Sequence, residues 1–192
     1  MTRGKVVTVV ALCASLAACS NADEAFVGDE SITPAAIVAI TQEHVDLQPK
    51  QIAQWDVFTR ELGEESPGAQ FEYADVSLAV VVAPTSDSPL VCADATLFDE
   101  CVDVSLDGHD VTLAWQELEP EEDPGVVYVI DRRDGEDVAV RVSGASITDD
   151  PRTLDLGLPL EGLAALVTDL RLSLTTSQEV VDLGAGVELS AP

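Results

Sequence analysis

Val102, Val104 and Leu106 alternate with Asp103 and Ser105, and Val111, Leu113 and Trp115 resume the same period after Asp107-Gly108-His109-Asp110. A period of two places one face of a strand inward and the other in water, and a Gly-containing polar tetrad between two such runs reverses the chain. The pair predicts a β-hairpin. A second hairpin follows: Val126 to Ile130, a turn at Arg133-Asp134-Gly135-Glu136, and a return over Val138 to Val142. Upstream, Phe71 to Val82 reads as one continuous strand. Phe71 and Tyr73 flank Glu72, and the run Val80-Val81-Val82 predicts burial on both faces. Ala83 to Pro89 is a turn-rich break, and a short helical piece is expected around Ala93 to Phe98.

Helical spacing appears near the two ends. Thr33-Pro34 opens the first helix, because Thr accepts from the first free N–H groups and Pro is preorganised at the first helical position. Ile37, Ile40 and His44 share a face, and the helix should end near Val45, ahead of Pro49. Gln51 to Arg60 fits either a second helical turn or a strand, and Glu61 to Gly68 reads as a loop. Leu158-Pro159 opens a helix lined by Leu160, Leu163, Ala164 and Val167, with Gly162 lowering its propensity by about 1 kcal/mol relative to Ala. Thr176 to Leu183 predicts another short helix, stopped by Gly184 and Gly186. Strands in the middle and helices at the ends give an α+β class: an antiparallel sheet built from a strand and two hairpins, with helices packed on it.

The first 18 residues follow a different pattern. Arg3 and Lys5 precede an apolar stretch from Val6 to Ala18, and the run Leu16-Ala17-Ala18-Cys19 closes it. Positive charge, a short apolar core and small residues at the cut describe a secretory signal peptide. Its 13 residues fall short of the roughly 20 needed to span a bilayer. Leu-Ala-Ala-Cys resembles the lipobox of bacterial lipoproteins. Together with the element order and the acidic, Val/Ala-rich composition, it makes the chain similar to small actinobacterial lipoproteins. The resemblance implies export, diacylglyceryl transfer to the Cys19 thiol and cleavage before Cys19. Two acyl chains hold a protein stably at a membrane, since each buried CH₂ contributes roughly 0.8 kcal/mol. The expected organisation is a signal peptide over 1–18, a tether over 19–31 and one domain over 32–192. The expected address is the outer face of the cell membrane.

Charge narrows the partners. All 36 acidic residues follow Cys19, and loss of Arg3 and Lys5 with the signal leaves seven cations, a net charge of −29. Lys50 is the single lysine after Cys19. Nucleic acid is excluded as a partner, because its binding depends on Lys and Arg neutralising phosphates. Docking on anionic lipid through a basic patch is excluded for the same reason, so the acyl chains must hold the membrane unaided. Such a charge also opposes self-association and favours a monomer. A solvated surface, adaptation to salt and binding of divalent cations all remain open as reasons for the acidity. Cys92 and Cys101 form an even pair with eight residues between them, which outside the cytoplasm predicts a structural disulfide.

Catalytic parts are scarce. Gly-x-Ser-x-Gly, Gly-x-x-x-x-Gly-Lys, Gly-x-Gly-x-x-Gly and His-Glu-x-x-His are absent from the sequence. His44 and His109 are the two histidines, and either could in principle serve a hydrolase with a distant Ser and carboxylate. His44 reads more simply as a packing or capping residue, and His109 as an exposed turn residue between Asp107 and Asp110. Asp103-x-Ser105-x-Asp107-Gly108 resembles the first half of an EF-hand calcium loop, but position twelve is Ala114 where a bidentate Glu belongs. Those three are weak metal candidates, and no cofactor is expected. Asp131, Asp134, Glu136 and Asp137 surround Arg132 and Arg133 in a turn read as exposed and self-neutralising. Glu117 to Pro124 reads as an exposed acidic linker. The primary expectation is a noncatalytic envelope module that binds or scaffolds an unidentified protein or ligand. A hydrolase and a cation-binding module are the alternatives.

Overall fold

The computed structural model describes residues 28–55, 66–85, 90, 92, 98–119 and 124–190. The α+β class holds: helices near the two ends pack on one face of an antiparallel sheet. Cys19, the 1–18 segment, most of the 19–31 tether and the helical piece expected at 93–98 lie almost wholly outside the described residues.

Strand β1 (Glu30–Ser31) precedes helix α1 (Pro34–His44). Thr33 caps α1 as its sequence dictates, its Oγ1 accepting from the Ala36 N–H at 3.1 Å, and Val45 closes the other end. Strands β2 (Gln51–Gln54), β3 (Gly68–Glu72), β4 (Ser77–Pro84), β5 (Glu100–Leu106), β6 (His109–Gln116), β7 (Val126–Arg132) and β8 (Glu136–Ser143) form one sheet in the order β2-β3-β4-β8-β7-β6-β5. A 3-10 turn at Pro151–Thr153 leads to helix α2 (Leu160–Val167), strand β9 (Thr175–Thr176) and helix α3 (Gln178–Leu183). β1 pairs antiparallel with β9, so the last two residues of the span read as a tether are tied into the domain.

Both expected hairpins form, β5–β6 and β7–β8, with Leu106 opposite His109 and Arg132 opposite Asp137 at their turns. The ambiguous stretch begins as a strand, Gln51–Gln54, with residues 56–60 outside the described part, and Gly68 starts β3 rather than ending a loop. The single strand expected over Phe71–Val82 is two strands. Tyr73 donates its N–H to the Val76 carbonyl at 2.9 Å, and Ala74-Asp75 turn the chain so that Phe71 faces Leu78. The helix-facing positions are odd up to Tyr73 and even from Leu78, so the reversal shifts the period by one, but Ala79, Val81 and Ala83 are buried on the other face and hide that shift in the sequence.

Parity along each strand sorts the core into two layers. Leu78, Val80 and Val82 of β4, Val111, Leu113 and Trp115 of β6, Val127 and Val129 of β7, and Val138, Val140 and Val142 of β8 all face the helices. Burying each of these side chains contributes roughly 1.5–3 kcal/mol. α1 is buried on more than one side because it packs against β3, α2 and α3 together. The opposite face carries small residues, Ala79, Val81, Ala83, Ala114 and Ala139, under Trp55, Leu90 and Phe98. Val80-Val81-Val82 is buried on both faces, as expected, because both layers meet at β4.

Candidate functional site

The densest polar assembly among the described residues surrounds the segment that leaves α2, from Val167 to Leu174. A helix ends with carbonyls that lack intrahelical partners and with a partial negative charge. Arg133, projected from the β7–β8 turn, meets that end. Its Nη2 donates to the Val167 carbonyl at 2.6 Å and the Asp169 carbonyl at 3.1 Å, and its Nη1 donates to the Leu172 carbonyl at 2.6 Å. Nε of the same side chain donates to Asp131 at 2.7 Å. Glu136, the first residue of β8, accepts from the Ser173 hydroxyl at 3.0 Å and the Leu174 N–H at 2.8 Å. The turn read as exposed and self-neutralising is therefore a clamp. Its charges do neutralise one another, Arg133 pairing with Asp131 at 2.7 Å and with Glu136 at 3.6 Å, but they are part-buried rather than exposed and also reach across to another element, and Asp137 beside them is 1% exposed.

Asp169 organises the second half of the assembly. Its Oδ2 sits 2.8 Å from His44 Nε2 at the end of α1, and Arg171 reaches the same carboxylate through Nε and Nη2, the latter at 2.7 Å. Arg171 Nη2 also donates to Glu43 at 2.7 Å. Burial pushes the Asp169 carboxyl up, but the hydrogen bonds from Arg171 and His44 outweigh it and hold the group at about 2. The same carboxylates push the Arg171 guanidinium further up. His44, half-buried at the end of α1, thus meets a carboxylate 125 residues away in sequence, while Val45 forms the helix cap.

His109 is not an exposed turn residue. It is the first residue of β6, half-buried, and its Nδ1 lies 2.6 Å from Thr168 Oγ1. Thr168 Oγ1 also lies 2.8 Å from the Ala164 carbonyl, which accepts from it. The turn itself is only Asp107-Gly108, both at positive φ (49° and 88°). The carboxylate thus lies on one histidine and the hydroxyl on the other. These contacts complete no Ser-His-Asp relay.

Asp103, Ser105 and Asp107 are set apart by the extended strand. Asp103 and Ser105 share one face of β5 roughly 7 Å apart, two residues at 3.3–3.4 Å each. Asp107 lies beyond the strand in the turn, and Asp103 already accepts from the Thr112 hydroxyl at 2.8 Å. A calcium loop curls its ligands around one centre, which a straight strand does not. Among the described residues no three His, Cys, Asp or Glu side chains converge to hold a metal. Cys92 and Cys101 sit at disulfide distance, with Cα atoms 5.7 Å apart. In the acidic linker, Glu117, Glu119 and Pro124 are exposed, while residues 120–123 lie outside the described part. No described helix is long and apolar enough to cross a membrane.

Two open clefts accompany the assembly. One, of about 570 Å³, lies beside β5 and is lined by Asp103, Ser105, Asp110, Thr112, Ile130 and Arg132 among others. The other, of about 510 Å³, lies near the start of α1 and includes Ile32, Trp55 and Leu174. Neither His44 nor His109 lines them. No family model, curated protein or solved structure matches the chain.

Proposed function

We propose that this protein is a lipid-anchored lipoprotein, held at the extracytoplasmic face of the cell membrane through diacylglyceryl-Cys19, and that its domain is a noncatalytic module that binds or scaffolds another envelope component. The observation that carries the reading is the run Leu16-Ala17-Ala18-Cys19 behind Arg3, Lys5 and a short apolar core. With its signal removed, the chain would have no basic surface for anionic lipid, so the acyl chains alone would provide the attachment. Residues 20–29 would give the domain reach, up to about 3.3–3.6 Å for each residue of fully extended chain. The two histidines support a noncatalytic reading because each is engaged in tying α1 or β6 to the segment after α2.

Replacement of Cys19 by Ala tests this. The wild-type protein should partition with membranes and begin at an acylated Cys19 in intact-mass analysis. Cys19→Ala should be released or left unprocessed. A variant that stays membrane-bound with unchanged mobility would overturn the assignment.

A further inference from the structure

We propose that the free edge of β5 and the acidic cleft beside it receive an extended basic segment of a partner protein, added to the sheet as an eighth strand. This names the partner class of the binding module proposed above, and rests on that reading for its setting; the surface itself rests on the sheet.

The two ends of the sheet differ. At the β2 edge the chain covers part of its own sheet: Ser190 makes an isolated bridge to Ala53 and donates its N–H to the Ile52 carbonyl at 2.8 Å. At the other edge, β5 pairs only with β6 among the described residues, over seven residues from Glu100 to Leu106. A strand paired on one side presents alternate N–H and C=O groups outward, and these can template another strand. Seven residues is long for a free edge, since native proteins commonly keep such strands short.

The side chains say which strand fits. Glu100, Asp103, Asp107 and Asp110 are exposed along β5 and its turn. Asp103, Ser105 and Asp110 also line the 570 Å³ cleft, which lies on the sheet face away from the helices. A second copy of this chain would set those carboxylates against themselves, which is unfavourable for like charges opposed across strands. A segment alternating Lys or Arg with apolar residues meets them with opposite charge. Its basic side chains fall on the cleft side every second residue, at the spacing of Asp103 and Ser105.

The probe is a capped seven-residue peptide alternating lysine and valine, titrated into the purified full-length chain in detergent at low salt and followed by backbone amide NMR. The largest shifts should fall on Glu100–Leu106 and not on Gln51–Gln54. Asp103→Asn with Asp110→Asn should weaken binding at least threefold, and a glutamate/valine peptide should not bind. Two analogues N-methylated at alternate positions separate strand pairing from charge: the one whose blocked donors face β5 should bind at least tenfold more weakly than the other. Equal binding of both analogues, shifts centred elsewhere, no binding at millimolar peptide, or a protein dimer joined through β5 would each overturn the proposal. A Cys19→Ala protein that stays membrane-bound with unchanged mobility would sink the anchor and leave these peptide results unchanged.

Discussion

Asp169 shows how much a single side chain holds here. It joins the end of α1 to the turn after α2 through His44 and Arg171. Its carboxyl sits at about 2 when folded, against 3.8 ordinarily. A carboxyl whose folded value is depressed binds its proton more readily when unfolded. Its contribution is therefore complete above about pH 4 and is lost as pH falls toward 2. Asp169→Asn should cost on the order of 2 kcal/mol at neutral pH, from roughly 1.4 kcal/mol for each tenfold difference in proton affinity between the folded and unfolded chain. The gap between the variant and the parent should close between pH 4 and 2, read by urea unfolding at a series of pH values. Arg133 is the second such residue. Arg133→Met would leave three carbonyls, Asp131 and Glu136 without their cation. The expected loss is about 2–4 kcal/mol, because part-buried acceptors lose a charged donor at once. An unfolding midpoint unchanged by Arg133→Met would show that the clamp contributes nothing. Little of this was legible in the chain. Arg132-Arg133 among four carboxylates has the same appearance whether the charges cancel locally or grip a distant helix end, and no local pattern links Asp169 to His44.

At the scale of elements, the hairpins and helix starts were legible because their signals are local. Thr33-Pro34 caps α1 with groups that lie within three residues of one another. Asp107-Gly108 reverses β5 into β6 because both residues take positive φ, which glycine adopts without cost. Two glycines separate backbone conformation from crowding. Gly108 and Gly125 have nearly the same φ (88° and 89°), but a Cβ on Gly108 would meet nothing, whereas one on Gly125 would stand 2.6 Å from the Gln116 carbonyl. Gly108→Ala should therefore cost about 1 kcal/mol, the penalty for a left-handed L-residue. Gly125→Ala should cost clearly more, and thermal melts of the two variants compare them directly. The Phe71–Val82 reading failed for the converse reason. Ala74 and Asp75 are weak turn signals, and the one-residue shift of the inward positions is hidden because β4 is apolar on both faces.

At the scale of the molecule, the two core layers meet at the sheet, and the second is thin. Small side chains on that face are covered by Trp55, Leu90 and Phe98, and Cys92 stands at disulfide distance from Cys101 of β5. Closing so short a loop stabilises by roughly 2.5–3 kcal/mol through the entropy removed from the unfolded chain. Cys92→Ser with Cys101→Ser should lower unfolding stability by about that amount and loosen the Leu90–Phe98 cover more than the helical face, read by amide exchange at β6 and α1. Free thiols in the unreduced native protein would refute the bond. The strong negative charge belongs to this scale too. It is carried by the whole surface, and it weighs against self-pairing at β5 more than any single carboxylate does.

The amino-acid order was sufficient for everything encoded within a few residues: the export-type leader ending at Cys19 as an expectation, the α+β class, two hairpins, the helix boundaries and the cysteine pair. Period, capping and turn chemistry act between neighbours, so they survive without a fold. The strand order with β8 beside β4, the Ser190 bridge at the β2 edge, the β5 edge paired with β6 alone among the described residues, and the Arg133, Glu136 and Asp169 contacts emerged only when distant segments were packed together. Those features depend on which surfaces meet, and the energy of meeting is shared among residues far apart in the chain, His44 and Asp169 by 125 positions, which no local pattern records.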